Sequence, residues 1–234
     1  MNLIIDIGNT LVKYAFFKED LIVDIHKTSE VDFELINQMI STKKVKSVIV
    51  SSVREEIAWN LAVNPIVLSY KTNVPIKLNY DTPKTLGNDR IANAVACSVL
   101  YHNKNVLVID TGSCITMDFI DKNKVYHGGR ISPGLEMRYR SLYEFTAKLP
   151  KLCINPESKI IGQNTNESIV SGVQQGVLSE VNTIIDDLKK ENEDLFVILT
   201  GGDTFFFEKE LKNSIFADQN LVLKGLNEIL KYNA

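Results

Sequence analysis

The sequence predicts an α/β protein in which one structural unit occurs twice. Strands and helices alternate along the first third of the chain, the second half begins the same order again, and an Asp-x-Gly turn recurs at the matching place in both halves. Apolar residues at helical spacing indicate helices, and short apolar runs bounded by turn residues indicate strands. We place the boundary near residues 103–105, so that residues 1–104 form an N-terminal half and residues 105–234 a C-terminal half.

The first half is predicted to begin with a β-hairpin. Leu3–Ile7 and Leu11–Phe17 are apolar runs joined by Gly8, Asn9 and Thr10, a short polar link of the kind that closes hairpins. The next elements, in chain order, are a strand at Leu21–Lys27, a helix at Asp32–Thr42, a strand at Val45–Ser51, a short helix at Glu55–Leu61, a strand at Ile66–Leu68, a loop at Asn79–Asn88 and a helix at Arg90–Tyr101.

The second half is predicted to repeat the hairpin and to add helices. In chain order we expect strands at Val106–Ile109, Ile115–Ile120 and Lys124–His127, a helix from Leu135 to Phe145, an irregular segment at Pro150–Asn164, a long helix at Glu167–Lys190, a strand at Phe196–Leu199 and a helix at Leu221–Tyr232. Gly172 and Gly176 lie four residues apart in the long helix. Each costs up to about 1 kcal/mol relative to alanine, so we expect a close neighbour there.

Composition and charge restrict the class of protein. The chain has 234 residues, of which 44% are apolar and 24% charged, as in ordinary globular proteins. The net charge of −3 argues against nucleic acid or an anionic membrane as a partner, and no apolar stretch approaches the length of a membrane span. Three cysteines without a C-x-x-C pair favour a reducing compartment, so we expect a cytoplasmic protein.

The repeated turn suits a phosphate site. The matched positions are Asp6 with Asp110, Gly8 with Gly112, and Asn9 with Ser113. Glycine lets the backbone approach phosphate oxygens and adopt positive φ, small side chains leave backbone N–H groups free for an anion, and an aspartate can hold a cation. One such turn alone is more often only a tight turn. Its recurrence, with Thr200–Asp203 after a third buried strand, favours a nucleotide site.

Together these turns resemble the phosphate and adenosine motifs of the acetate kinase, sugar kinase, Hsc70 and actin superfamily. The resemblance implies α/β architecture with duplicated ribonuclease-H-like, or actin-like ATPase, domains. Their mixed sheets would be flanked by helices, with an active-site cleft between the two domains. The chain contains no Walker A sequence.

Six motifs narrow the resemblance to one family. They are DIGNTLVK (Asp6–Lys13), GNDR (Gly87–Arg90), DTGSCIT (Asp110–Thr116), GGRISPGL (Gly128–Leu135), IGQNT (Ile161–Thr165) and TGGD (Thr200–Asp203). In this order, over nearly the whole chain, they look like type III pantothenate kinase. The resemblance implies phosphorylation of pantothenate by ATP to 4'-phosphopantothenate, the first step of coenzyme A biosynthesis.

The resemblance also implies which residues bind ATP and its cations. The phosphate loop would comprise Asp6, Ile7, Gly8, Asn9, Thr10, Leu11, Val12 and Lys13, and Ser113 would contact ATP as well. Asp6 would lie near Mg²⁺, directly or through water, and Asp110 matches the family's ligand for K⁺ or NH4⁺. The family usually has Thr-Ala where this chain has Ser113 and Cys114. The serine keeps a hydroxyl, whereas Cys114 is either a reactive thiol or a small apolar residue in the core.

Pantothenate binding is implied for a second set of residues. Asp89 matches the family's proton acceptor, and an N-terminal helix cap is a compatible use of it. The other matches are Tyr80, Gly87, Asn88, Arg90 and Thr165. Three alternatives stay open at this point: a surface salt bridge for Arg90, a packed loop aromatic for Tyr80, and a helix cap for Thr165.

The family is dimeric, with pantothenate at the subunit interface, so a homodimer is expected. The long helix with Gly172 and Gly176 could form that contact or could pack within one chain. Two other functions remain open: a superfamily kinase for another small hydroxylated substrate, and a non-catalytic transcription accessory protein. The second lacks a basic stripe, a helix-turn-helix signature and a zinc knuckle.

Overall fold

The computed structural model describes residues 1–8, 10–54 and 59–234. The strands are β1 (Asn2–Ile7), β2 (Val12–Lys18), β3 (Leu21–Thr28), β4 (Ser47–Ser52), β5 (Ile66–Val67), β6 (Lys77–Leu78), β7 (Val106–Thr111), β8 (Cys114–Ile120), β9 (Val125–Pro133), β10 (Phe196–Thr200) and β11 (Phe216–Ala217). The helices are α1 (Phe33–Thr42), α2 (Asn88–Leu100), α3 (Leu135–Glu144), α4 (Thr165–Glu191), α5 (Thr204–Glu210) and α6 (Leu221–Tyr232), with a 3-10 turn at Pro83–Thr85.

The chain forms two compact units. Their boundaries differ from the single predicted division after residue 104. The first unit contains residues 1–103, 120–127 and 220–234, and the second contains residues 104–119 and 128–219. Residues 220–234 belong to the first unit because α6 packs on α2 and on the strands β1 and β4.

The sheet of the first unit has the strand order β3-β2-β1-β4-β5. β1, β2 and β3 are antiparallel neighbours, whereas β4 runs parallel to β1 and β5 runs parallel to β4. Alternate residues of β1, such as Leu3 and Ile5, join the apolar core that also contains Ile36 and Ile40 of α1. The opposite face begins with Asn2, whose Nδ2 donates to Oδ1 of Asn227 in α6 at 3.0 Å. Asp6, four residues later, belongs to this second face.

The helices α2 and α6 pack at very short distance in the first unit. A Cβ atom on Gly225 of α6 would lie 1.8 Å from the carbonyl oxygen of Ala92 in α2. Only glycine permits this approach, which fixes α2 and therefore the residues of its first turn.

The second unit contains the strand order β11-β10-β7-β8-β9. β10 runs parallel to β7 and pairs Thr200 with Asp110, so both strands end at the same edge. The long helix α4 supplies Ile169, Val173, Val177 and Val181 to a core shared with β7, β8 and β10. The strand ends that carry the DTGS and TGGD motifs are thereby adjacent.

The predicted elements are largely confirmed, with differences at their ends. Residues 55–58 of the predicted helix Glu55–Leu61 lie outside the described residues, and residues 59–61 are not helical. α2 begins at Asn88, inside the predicted loop, and β9 extends to Pro133, well beyond His127. The sequence pattern missed β6, α5 and β11, because strands of two residues and a helix of seven are too short to show a period. Across the described ranges, no helix has both the length and the apolar character that crossing a bilayer would need.

Candidate active site

The first repeated turn is closed by a backbone hydrogen bond. The N–H of Gly8 donates to the carbonyl oxygen of Leu11 at 2.9 Å, and Nε of Arg54 donates to the carbonyl oxygen of Gly8, also at 2.9 Å. Gly8 does not have positive φ. The physical demand here is close approach, since a Cβ on Gly8 would lie 3.2 Å from the Leu11 carbonyl oxygen.

The other residues of the predicted phosphate loop differ in exposure. Ile7 and Val12 are fully buried in the core, and the carbonyl oxygen of Ile7 accepts the N–H of Val53 at 3.0 Å. Thr10 and Leu11 are exposed, and Asn9 lies outside the described residues. The loop therefore offers backbone groups and the Thr10 hydroxyl to a ligand.

Asp6 lies on β1, and the two strands beside it, β2 and β4, each place a polar residue opposite it. It pairs in register with Lys13 of β2 and with Ser51 of β4. The pKa of Asp6 is raised to about 6: burial raises it most, Lys13 lowers it, the charge of Asp89 raises it, and a hydrogen bond from the Ser51 hydroxyl lowers it. The carboxylates of Asp6 and Asp89 are thus close enough to repel each other.

Ser51 and Arg54 are site residues that the sequence analysis missed. Ser51 is fully buried beside Asp6, and Arg54 contacts the turn at Gly8. The one available signal was a hydroxyl at the end of the apolar run Val48–Val50, which marks the strand end where β4 adjoins β1. No local pattern connects Arg54 with Gly8.

Asp89 lies in the first turn of α2. Gly87 occupies the N-cap position, so the predicted side-chain cap by Asp89 is wrong. Its Oδ1 instead accepts the backbone N–H of Arg90 at 2.8 Å, which satisfies one of the free N–H groups of the helix start. A Cβ on Gly87 would lie 2.5 Å from the same oxygen. The absence of a side chain at residue 87 gives the carboxylate its position.

Arg90 is a buried residue of α2. It is 5% exposed, which makes the alternative of a surface salt bridge wrong. Its guanidinium carbon lies 6.0 Å from the ring centre of Tyr80, and that ring packs against Tyr126 at 6.0 Å. Nδ2 of Asn88 donates to the Leu68 carbonyl oxygen at 3.0 Å. Tyr80 is therefore a packed aromatic that also orients Arg90.

The second repeated turn is two residues shorter than the first. The N–H of Gly112 donates to the carbonyl oxygen of Cys114 at 3.0 Å, and the N–H of Gly134 donates to that of Ser113 at 3.1 Å. A Cβ on Gly134 would lie 2.1 Å from the Gly112 carbonyl oxygen. Gly112 does not have positive φ either. Ser113 is exposed and Cys114 is half-buried, so the expectation of a core position for Cys114 is wrong.

The TGGD loop lies against Asp110 in the second unit. Gly201 has a φ of +100°, and a Cβ on it would lie 2.6 Å from Oδ1 of Asp110 and 2.4 Å from the Thr111 carbonyl oxygen. Oγ1 of Thr111 donates to the Thr200 carbonyl oxygen at 2.9 Å. Burial, followed by the charge of Glu136, raises the pKa of Asp203. Glycine is required at residue 201 for both its conformation and its contacts.

Thr165 is the exposed first residue of α4. The alternative of a helix cap is wrong for Thr165, because Oδ1 of Asn164 accepts the N–H of Glu167 at 3.0 Å. Farther along α4, Cβ atoms on Gly172 and Gly176 would meet no atom of the described residues within 4 Å. The apolar face of α4 packs within the chain, whereas the close neighbour expected at the two glycines is not found among the described residues.

Comparisons with known proteins identify the family. The model of the type III pantothenate kinase family matches residues 2–187. A type III pantothenate kinase from Phocaeicola vulgatus is 45% identical over 240 residues, which cover 100% of this chain and 99% of the relative. The chain belongs to the type III pantothenate kinase family. It is an enzyme that phosphorylates pantothenate with ATP, in coenzyme A biosynthesis.

Solved structures show the fold. A protein from Campylobacter jejuni assigned to the Baf family of transcriptional activators is 24% identical, with a TM-score of 0.66 and coverage of 99% of this chain and 98% of that one. An activator of 2-hydroxyisocaproyl-CoA dehydratase from Clostridium difficile, solved with ADPNP, is 13% identical, with a TM-score of 0.57 and coverage of 99% and 93%.

The predicted actin-like ATPase fold of the family is confirmed by these likenesses. At 24% and 13% identity these two structures are evidence for the fold only. The Campylobacter structure therefore does not support the alternative of a transcription accessory protein. The kinase activity rests on the family match.

The raised pKa of Asp6 predicts a pH-dependent effect of Asp6→Asn on stability. The native carboxyl has a pKa of about 6 against an ordinary 3.8, so ionised Asp6 opposes folding above pH 6, and this cost vanishes as pH falls toward 4. Two pKa units correspond to about 3 kcal/mol. In urea unfolding without nucleotide or metal, Asp6→Asn should gain free energy of unfolding up to that size at pH 8 and little at pH 4.

The matched control is Asp81→Asn in an exposed loop, which should change the free energy of unfolding equally at both pH values. An equal gain for Asp6→Asn at pH 4 and pH 8 would contradict the role of burial.

Proposed function

We propose that Asp89 accepts the proton of the pantothenate hydroxyl as that oxygen attacks the terminal phosphoryl group of ATP. The observation that supports it is the mutual repulsion of Asp6 and Asp89, which means that a cation-binding carboxylate and a second acid share one region of the first unit. Phosphoryl transfer relies on positioning and on charge stabilisation. Asp89 is held in one orientation because its side chain accepts the Arg90 N–H. This fixed orientation suits it to position the pantothenate hydroxyl and accept its proton.

The turn at residues 6–13 is proposed to hold the phosphates of ATP together with Mg²⁺. The residues fit a hydrated Mg²⁺: Asp6 is a carboxylate, Ser51 supplies a buried hydroxyl beside it, and the repulsion from Asp89 favours a cation. When bound, Mg²⁺ neutralises charge on the phosphates. Lys13, opposite Asp6 in the hairpin, contributes a further positive charge. Arg54 keeps the turn in place through the Gly8 carbonyl.

Pantothenate is proposed to contact Tyr80, Gly87, Asn88, Arg90 and Thr165. The guanidinium of Arg90 suits the carboxylate of pantothenate, because a planar fork of N–H donors binds a carboxylate with two hydrogen bonds. Its packing beside Tyr80 holds that fork in one orientation.

Asp110 is proposed to hold K⁺ or NH4⁺, and Ser113 to contact ATP. Support comes from the second unit, where the carboxylate of Asp110 lies against the backbone of Gly201. A carboxylate next to backbone carbonyl groups supplies the oxygen ligands that such a cation needs. The cation would offset charge near the phosphates.

Asp89→Asn should abolish most of the turnover while the protein stays folded. Asparagine keeps the shape and can still accept the Arg90 N–H, but it cannot take a proton. We expect kcat to fall by about 10²–10⁴, with a smaller change in KM for ATP. A coupled ADP-release assay with pantothenate measures both. Asp81→Asn, in the exposed loop before α2, is the control and should keep its turnover. A near-normal kcat for Asp89→Asn would overturn the assignment.

Asp110→Asn should remove the dependence on monovalent cations. For the unaltered chain we expect a higher rate in KCl or NH4Cl than in NaCl at equal ionic strength. In Asp110→Asn the ratio of these rates should fall to about one, since a neutral amide binds a cation poorly. Asp187→Asn, which removes an exposed carboxylate of α4, should keep the ratio. A preserved ratio in Asp110→Asn would place the cation elsewhere.

We also propose a homodimer in which the open face of α4 at Gly172 and Gly176 meets a second copy. The resemblance implies the dimer, and the empty space beside both glycines leaves room for a close helix. Gly176→Leu should shift the chain toward monomer in sedimentation velocity. Asn182→Leu, farther along α4 and bonded within the chain, tests whether any added leucine has this effect. Dimers of unchanged stability in Gly176→Leu would exclude this face.

The remaining expectations concern environment and partners. We propose a cytoplasmic enzyme whose partners are pantothenate and ATP rather than nucleic acid or a membrane. The net charge of −3 supports this, and none of the three cysteines, all of them described, forms a disulfide.

A further inference from the structure

Ser51 carries a buried hydroxyl that no described residue satisfies with a hydrogen bond of normal geometry. It is 0% exposed, and its Oγ has no hydrogen-bond partner of normal geometry among the residues that the structure describes. Nearly all buried polar side-chain atoms in native proteins have a partner, in the protein or in ordered water. A hydroxyl that departs from this pattern points to a partner outside the chain.

Other serines of the first unit show that the feature is particular to residue 51. Oγ of Ser98, which is also buried, donates to the Val95 carbonyl oxygen at 2.9 Å. Oγ of Ser52, the next residue, accepts the N–H of Arg54 at 3.1 Å. The unsatisfied hydroxyl is the one that lies next to Asp6.

The sheet directs Ser51 and Asp6 toward the same place. They are register partners in the parallel pair β1–β4, and neighbours in such a pair project from the same face of the sheet. Both lie at the carboxyl ends of their strands, where polar groups of parallel strands converge. The influence of Asp89 on Asp6 shows that the start of α2 is near this point.

We propose that Ser51 is a positioning residue of the nucleotide site, whose hydroxyl and the Asp6 carboxylate together hold one water of the hydrated Mg²⁺ that accompanies ATP. This inference rests on the proposed function of Asp6. Mg²⁺ keeps several of its waters when it binds to proteins, and such a water donates two hydrogen bonds. A serine oxygen and a carboxylate oxygen on adjacent strands provide two acceptors for it.

The test compares Ser51→Ala with Ser98→Ala, since both remove a buried hydroxyl from the first unit. Titration calorimetry gives the affinity for a non-hydrolysable ATP analogue in Mg²⁺ and in EDTA. Ser51→Ala should lower the affinity in Mg²⁺ about tenfold and leave the affinity in EDTA unchanged. Its melting temperature without ligand should fall less than that of Ser98→Ala, because Oγ of Ser51 makes no hydrogen bond of normal geometry with the described residues. Ser98→Ala should melt at a lower temperature and keep the affinity ratio of the unaltered chain.

An unchanged ratio of affinities in Ser51→Ala would overturn the inference, as would a loss of melting temperature as large as that of Ser98→Ala. Asp6→Asn distinguishes a failure of the role inferred for Ser51 from a failure of the role proposed for Asp6. If Asp6→Asn loses the Mg²⁺-dependent part of binding and Ser51→Ala keeps it, the inference fails and the role of Asp6 stands. If Asp6→Asn also keeps it, the proposed role of Asp6 fails and the inference fails with it.

Discussion

The burial of Asp6, together with the nearby charge of Asp89, sets the charge balance at the end of β1 in the first unit. Folding buries Asp6 and brings Asp89 near it, and both effects oppose ionisation of Asp6. Lys13 and Ser51 favour the ionised form and lower the pKa of Asp6. The pKa nevertheless stays at about 6, so these two residues compensate only part of the cost of ionising Asp6. A protein at neutral pH can hold such a carboxylate ionised most easily when a cation joins it. The charge balance of this strand end thus supports the proposal that the nucleotide binds together with a divalent metal.

The two repeated hairpins reach a similar turn by different means. The first turn spans Gly8 to Leu11 and is tied to the rest of its unit by Arg54. The second closes within two residues, and Gly134 fits directly over it. In neither turn does glycine have positive φ. A Cβ on Gly8 would lie 3.2 Å from the Leu11 carbonyl oxygen, whereas a Cβ on Gly112 would come no closer than 3.9 Å to the Cys114 carbonyl oxygen. Duplication therefore preserved the position of the acid before the turn and left the support of each turn to separate parts of the chain.

The sequence could predict what depends on local pattern. Regular apolar spacing identifies the hairpins, the long helix and the helix at Leu221–Tyr232. The paired Asp-x-Gly turns indicate the nucleotide site. It could not predict that α6 joins the first unit, because the contact of Gly225 with Ala92 links residues far apart in the chain. Ser51 and Arg54 were missed for the same reason, since strand register gives them their place. The cap of α4 was misplaced by one residue, because Asn164 and Thr165 are both suitable caps and backbone geometry chooses between them.

The start of α2 shows why a helix terminus suits the proposed proton acceptor. A carboxylate in phosphoryl transfer needs accurate placement more than strong basicity, because the proton leaves the hydroxyl late. The short side chain of Asp89 has few rotatable bonds, its oxygen accepts the Arg90 N–H, and Gly87 leaves the space that this oxygen occupies. Arg90 is held in turn by burial and by Tyr80. α2 is itself fixed by its contact with Gly225, so the accurate placement of the Asp89 carboxylate depends on helix packing inside the unit. A change that loosens this packing should therefore reduce catalysis before it unfolds the protein.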